Sequence, residues 1–119
     1  MPELTSLILY TSKIDETVAF YSTHFGYARH DTDGDRIVEL RPPGTGTRLL
    51  LHKAAKGQRQ GQTTVKLVFT VADVEAFCAQ SKERGLTFGP LHSGDGYVFA
   101  NAKDPSGNSV SVSGRFSTE

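Results

Sequence analysis

The sequence predicts an α+β fold in which two tandem βαβββ modules form a curved mixed sheet with an open cleft. Three observations support this prediction. Residues 6–15 (SLILYTSKID) return in the same pattern as residues 66–75 (KLVFTVADVE). In both copies an alternating strand leads into an acidic helix start and an amphipathic helix. Each helix then ends at a glycine that precedes a new strand, Gly26 in the first copy and Gly85 in the second.

The chain of 119 residues is expected to form a single domain, 1–119, whose halves span about 4–53 and 63–115. A chain of this length buries roughly two thirds of its unfolded surface, so it folds without disulfides or a structural metal. Residues 53–62 are polar and lack hydrophobic periodicity, which predicts a flexible joint between the halves.

The first half begins with residues 6–11, whose apolar and polar side chains alternate as in a strand. Residues 12–15 (SKID) have the spacing of a capping box and predict the start of a helix. Its apolar positions recur at helical spacing: Ile14, Val18, Tyr21 and Phe25.

Three further strands are predicted in this half, the first at 26–28. Residues 36–41 and 48–52 alternate on either side of the turn-forming segment 42–46 (PPGTG), which indicates a hairpin.

The second half repeats this order, beginning with a strand at 65–71. Its helix is predicted to bury one stripe of side chains: Val74, Phe77, Cys78 and Ser81. Short strands are expected at 87–88, 97–100 and 109–113, and the segment 104–108 (DPSGN) has the composition of a turn.

Charge and composition exclude several classes of partner. Thirteen basic and thirteen acidic residues give a formal net charge of zero, which removes the electrostatic case for nucleic acid or an anionic membrane. The amino terminus lacks a signal-peptide pattern and no stretch reaches membrane-spanning length, so we expect a cytoplasmic protein. Cys78, the single cysteine, is expected to be a buried, inert thiol.

Strand alternation predicts which side chains line the open face of the sheet. The predicted set is Ser6, Ile8, Tyr10, Arg48, Leu50, His52, Lys66, Val68, Ser109 and Ser111, with Tyr97 and Phe99 as additions. Apolar walls, a few hydrogen-bonding groups and positive charge are typical of a site for an aromatic or carbonyl-bearing small molecule. Two alternatives stay open: Lys66 either lines this face or projects to solvent, where it could pair with Glu39. Likewise, His52 lies either in the cleft or on the outer surface.

Three segments resemble the vicinal oxygen chelate superfamily, which contains glyoxalase I, extradiol dioxygenases, fosfomycin-resistance enzymes and bleomycin-resistance proteins. They are residues 9–21 (LYTSKIDETVAFY), 68–74 (VFTVADV) and 104–108 (DPSGN). The resemblance extends from Leu4 to Ser113, and it implies a homodimer whose clefts are closed by half-sheets from two chains.

The same resemblance implies that the metal ligands of the superfamily are absent here. Metal-dependent members hold ligands at positions that correspond to Ser6, Lys66 and Ser111, and some take a further ligand at the position of Leu50. A serine hydroxyl is a poor ligand, and a lysine ammonium has no lone pair to donate. We therefore expect neither a metal nor another cofactor.

Three functions agree with these residues. The first is a metal-free binding protein, similar to the bleomycin-resistance branch, that confers antibiotic resistance by sequestering an aromatic or antibiotic-like ligand in a dimer cleft. The second is a glyoxalase-like lyase, isomerase or dioxygenase-related enzyme that uses Lys66 in place of the metal, helped by Tyr10 or His52. The third is a domain that regulates a partner without turnover. The sequence favours the first, because losing every ligand removes the metal chemistry and leaves the cavity.

Overall fold

The computed structural model describes residues 1–118, which form two compact units, Met1–Gln60 and a second unit that begins at Gly61. Each unit has the order strand, helix, strand, strand, strand, so the predicted α+β class and the duplicated module are confirmed. Within residues 1–118, neither helix has the length and apolar composition that crossing a bilayer requires.

The first unit contains a four-stranded mixed sheet and one helix. Its elements are β1 (Ser6–Thr11), α1 (Ile14–Phe25), β2 (Ala28–His30), β3 (Val38–Arg41) and β4 (Arg48–Lys53). The strand order is β1-β4-β3-β2, with β1 parallel to β4 and the other pairs antiparallel. The predicted β3–β4 hairpin is therefore confirmed.

The second unit repeats this topology. Its elements are β5 (Lys66–Thr70), α2 (Val74–Glu83), β6 (His92–Ser93), β7 (Val98–Lys103) and β8 (Ser109–Ser113). The strand order is β5-β8-β7-β6, again with one parallel pair, β5 and β8. Both sheets are therefore four-stranded, mixed and unclosed.

The predicted strand at 87–88 is wrong, because the second strand of this module is β6, further along the chain. Phe88 is instead buried, with its ring centroid 6.2 Å from that of Phe77 on α2. Its apolar side chain packs in the core. In the sequence, such an apolar residue cannot be distinguished from part of a short buried strand.

The predicted capping box at the start of α1 is also wrong. The helix begins at Ile14, and Lys13 occupies the N-cap position without a side-chain capping bond. Thr11 Oγ1 accepts a 2.9 Å hydrogen bond from the backbone N–H of Lys13, while the N–H of Ser12 donates to Gln60 Oε1 at 2.9 Å. Gln60, which is distant in the sequence, thus accepts the hydrogen bond that the capping-box spacing assigned to Asp15.

In each unit one face of the sheet carries the core. The buried apolar side chains of the first unit include Phe20, Tyr21, Tyr27, Leu40, Leu49 and Leu51, and those of the second include Val74, Phe88, Val110 and Val112. Because side chains alternate along a strand, the opposite face of each sheet carries a separate set of residues. Ile8, Tyr10 and Val68 on these opposite faces are exposed although they are large and apolar.

Candidate functional site

The exposed face of the first sheet contains all six residues that alternation predicted for this half. The parallel register places Ser6 opposite Arg48, Ile8 opposite Leu50 and Tyr10 opposite His52. The rings of Tyr10 and His52 lie 5.3 Å apart between centroids. We call these six residues, with Glu39 and Arg41 of β3, the first open face.

His52 takes part in this face, and its ring has a fixed hydrogen bond. Its Nδ1 lies 2.9 Å from the carbonyl oxygen of Lys53. Because a carbonyl oxygen only accepts, Nδ1 is the donor in this bond. The ring is thereby held beside Tyr10, and the pair offers an aromatic surface to solvent.

A depression of about 810 Å³ opens at one end of the first open face. Its lining residues come from the chain before β1, from β1, β3 and β4, and from the β3–β4 turn: Glu3, Thr5, Ser6, Glu39, Arg41, Pro42, Gly44, Thr45, Gly46, Arg48 and Leu50. The volume is within the range of small-molecule sites. The two glycines and the short hydroxyl side chains leave this space open.

Two arginines meet on a single carboxylate oxygen in this depression. Oε2 of Glu39 lies 2.6 Å from Nε of Arg41 and 3.2 Å from Nη1 of Arg48. The hydrogen bond from Arg41 is the main reason that the pKa of Glu39 lies below its ordinary value. Arg41 was missed by the sequence analysis, although its position two residues after Glu39 places it on the same face of β3.

The exposed face of the second sheet contains Lys66 and Val68 on its edge strand β5. Nζ of Lys66 donates a 3.0 Å hydrogen bond to Oδ1 of Asn101 and lies 5.8 Å from the ring centroid of Phe99. Lys66 therefore lies along this sheet face, while the carboxylate of Glu39 is bound by Arg41 and Arg48. We call Lys66, Val68, His92, Phe99, Asn101 and Ser111 the second open face.

The register also places Ser111 on this face, between Val68 and Asn101. Its side chain is nevertheless buried, with 2 % of the residue exposed, and its hydroxyl donates a 3.0 Å hydrogen bond to the carbonyl oxygen of Ala100. Ser111 thus stabilises the floor of the face, where the exposed groups are those of its neighbours.

His92 is a member of this face that the set predicted from strand alternation did not include. It lies in β6 opposite Phe99, and the two rings stack with their centroids 5.1 Å apart. The ring of Tyr97 lies 6.2 Å from that of Phe99. A strand of two residues has no readable alternation, so only its pairing with β7 shows where His92 lies.

Metal-dependent members of the superfamily that the sequence resembles have ligands at three positions, and the side chains at these positions here are unsuitable ligands for a divalent ion. Ser6 and Lys66 offer a hydroxyl and an ammonium, and the hydroxyl of Ser111 already donates to the backbone. In the part of the chain that the structure describes, no group of three His, Cys, Asp or Glu side chains could hold a metal ion.

Solved structures share this fold at low sequence identity. The antibiotic binding protein TnmS3 from Streptomyces sp. CB03234 has a TM-score of 0.78 and 22% identity, with 94% of each chain covered. A superfamily member from Sphaerobacter thermophilus DSM 20745 has a TM-score of 0.76 and 21% identity, covering 95% of this chain and 97% of that one. Lactoylglutathione lyase from Agrobacterium tumefaciens has a TM-score of 0.72 and 19% identity, covering 95% and 93%.

Sequence comparison with curated proteins finds no match. A family model does match, however, over residues 3–112, which is nearly the whole chain. This match agrees with the duplicated module and with the shared fold of the solved structures. The chain belongs to the Glyoxalase/Bleomycin resistance protein/Dioxygenase superfamily.

Proposed function

We propose that this protein is a metal-free small-molecule binding protein of the bleomycin-resistance type. It sequesters an aromatic or antibiotic-like ligand in the cleft of a homodimer. The observation that carries the proposal is the second open face, where an exposed lysine ammonium lies beside the ring of Phe99. A cation next to an aromatic ring and exposed apolar side chains suits a ligand with a flat ring and an electron-rich oxygen.

The ligand-binding residues that we propose all belong to one of the two open faces. They are Ser6, Ile8, Tyr10, Arg48, Leu50, His52, Lys66, Val68, Phe99 and Ser111. Ile8, Tyr10 and Val68 leave large apolar area exposed, and such area on a protein surface often marks a binding site. Ser111 acts through the sheet that it stabilises, since its hydroxyl is bonded to Ala100.

The surroundings of Lys66 support a binder over an enzyme. General acid–base catalysis by a lysine needs a lowered pKa or a second titratable group within hydrogen-bond reach. Within residues 1–118, the Lys66 ammonium contacts the amide of Asn101 and the phenyl ring of Phe99. Neither group is an acid or a base that could exchange a proton with Lys66. These contacts instead hold the ammonium charge in a fixed orientation.

The shared fold includes both a binder and a lyase, so it supports either activity. TnmS3 is an antibiotic binding protein, and the structure from Agrobacterium tumefaciens is a lactoylglutathione lyase. The choice for this chain rests on its own side chains, which lack the donor set of a divalent ion at Ser6, Lys66 and Ser111.

A ligand screen followed by recovery of the ligand tests the proposal. Aromatic antibiotics and related compounds are screened by thermal shift, and each hit is titrated by calorimetry. The bound compound is then released and identified by mass spectrometry. We expect saturable binding and an unaltered compound. Conversion of the compound by the wild type, but not by Lys66→Met, would establish the enzyme alternative instead.

A further inference from the structure

We propose that the depression on the first open face binds a carboxylate group of the ligand through Arg41 and Arg48, in competition with Glu39. This inference rests on the proposed function and names a ligand class, an aromatic or apolar acid. It predicts that Glu39, a residue of the site itself, competes with the ligand for the two arginines.

Two arginines of the depression converge on one position. Arg41 and Arg48 belong to neighbouring strands, and both approach the same oxygen, Oε2 of Glu39, at 2.6 and 3.2 Å. The two guanidinium groups therefore already surround a position that suits a carboxylate oxygen. A ligand carboxylate would make the same contacts, which are charge-assisted and stronger than hydrogen bonds between neutral groups.

Both arginines are accessible to a ligand from solvent. The side chains of Arg41 and Arg48 are 45 % and 53 % exposed, whereas that of Glu39 is 21 % exposed. Each contact with Glu39 uses one guanidinium nitrogen, and each guanidinium has further N–H donors. A ligand carboxylate can therefore reach the free N–H donors from solvent and then replace Glu39 at the contacts that its carboxylate makes.

The rest of the lining also suits an anion with an apolar body. Thr5 and Ser6 contribute hydroxyl groups that can donate to an anion. Leu50 forms an apolar wall, and its partner in the register, Ile8, continues that wall along the sheet towards Tyr10. A ligand with a carboxylate and an apolar or aromatic body fits this sequence of polar and apolar side chains.

The charges of the depression explain why Glu39 opposes binding. Its charged lining residues are Glu3, Glu39, Arg41 and Arg48, which sum to zero. Replacing Glu39 by glutamine keeps the size and a carbonyl acceptor for the arginines, but raises the sum to plus one. We expect the gain in attraction for an anion to exceed any loss of arginine order, because glutamine can still accept a hydrogen bond.

A pair of isosteric probes tests this inference. 2-Naphthoate carries the charge, and 2-naphthamide has the same ring without it. Both are titrated into the wild type, Arg48→Gln and Glu39→Gln, with protein NMR shifts reporting affinity and location. The control is Arg59→Gln, which removes an exposed arginine outside the depression.

We expect the wild type to prefer 2-naphthoate, with shifts at the lining residues. Arg48→Gln should weaken naphthoate binding by about tenfold, the scale of one charge-assisted contact, and abolish the preference. Glu39→Gln should strengthen naphthoate binding about three- to tenfold while leaving the amide unchanged. Arg59→Gln should behave as the wild type does.

Equal affinity for the two probes in every variant would overturn the inference and leave the proposed function standing. Weaker naphthoate binding by Glu39→Gln would overturn the competition, because Glu39 would then be positioning the arginines. Binding of neither probe by any folded variant also overturns the inference, while the ligand screen decides the proposed function separately. Arg41→Gln, which removes the other guanidinium at Oε2 of Glu39, replaces Arg48→Gln with the same expected outcomes if the latter does not fold.

Discussion

Nζ of Lys66 and Oδ1 of Asn101 are joined by a 3.0 Å hydrogen bond that bridges two strands with a third strand between them. Lys66 lies on the edge strand β5, Asn101 lies on β7, and the intervening strand is β8. The amide of Asn101 thus holds the lysine ammonium over the sheet, next to the ring of Phe99. The charge is directed along the exposed face by a neutral partner, and within residues 1–118 no carboxylate forms an ion pair with it.

Replacing Lys66 by methionine tests whether this charge binds the ligand. We expect Lys66→Met to weaken ligand binding by about ten- to a hundredfold, because a charge-assisted contact contributes roughly 1.5 to 3 kcal/mol. Its free energy of unfolding should change little, since the ammonium is exposed. Calorimetric titration with a ligand from the screen measures the effect. Lys56→Met, at an exposed position of the linker, is the control, and equal affinities of the two variants would show that Lys66 does not contact the ligand.

Metal removal should leave ligand binding unchanged. The hydroxyl, ammonium and hydroxyl of Ser6, Lys66 and Ser111 are unsuitable donors for a divalent ion. We expect elemental analysis of the purified protein to find no stoichiometric zinc, nickel, manganese or iron, and dialysis against a chelator to leave ligand affinity intact. About one metal ion per chain, lost together with binding, would refute this prediction.

The protein is predicted to be a homodimer in solution. This expectation comes from its family, in which half-sheets of two chains complete the binding cleft. Light scattering combined with size exclusion should give twice the chain mass of 12.9 kDa at micromolar concentration. A monomer mass across the concentrations used for ligand binding would contradict it.

Gly61 should be far less tolerant of alanine than Gly57. Both have positive φ angles, 69° at Gly61 and 81° at Gly57, so alanine strains the backbone at either position. At Gly61 an added Cβ would also lie 2.7 Å from the carbonyl oxygen of Ser106, whereas at Gly57 it would meet nothing within 4 Å. We expect Gly57→Ala to cost about 1 kcal/mol and Gly61→Ala about 1 to 3 kcal/mol more. Urea denaturation measures the free energy of unfolding of both variants. Equal losses would mean that the turn at Ser106 and Gly107 moves away from the added Cβ without cost.

The ion pairs of Glu39 should make a contribution to stability that depends on pH. Because Arg41 and Arg48 lower the pKa of this carboxyl in the folded protein, its contribution is present above the unfolded pKa and is lost as the pH falls through the folded pKa. The stability of the wild type relative to Glu39→Gln should therefore decrease as the pH falls below the ordinary value of 4.5. Denaturation at a series of pH values measures this difference, and carbon NMR of the carboxyl gives the pKa directly. A difference that stays constant throughout acidification would count against these ion pairs.

Several features of the fold could be predicted from the sequence because they depend on local periodicity. Alternation along β1 and β4 separated Ile8 and Tyr10 from the core leucines, and the structure has the same separation. The helical stripe Val74, Phe77, Cys78 and Ser81 likewise contains the buried and half-buried positions of α2. Gly26 ends α1 with a φ of 72°, a conformation that glycine adopts without strain.

The sequence did less well where a partner comes from a distant part of the chain. The start of α1 is an example, since the side chain of Gln60 bonds the N–H of Ser12. Phe88 is another example, because its apolar side chain predicted a strand but packs against Phe77 instead. The two-residue strand that contains His92 was too short to show a period.

The sequence by itself determined the duplicated module, the order of its elements and the two faces of most strands, because residues close in the chain fix those patterns. Only the tertiary structure decided which side chains meet on the exposed faces. The strand order places Asn101 within reach of Lys66, and the β3–β4 pairing brings Arg48 to the carboxylate that Arg41 also binds. Such contacts depend on which strands are neighbours and in what register, and both are set by packing of the whole unit.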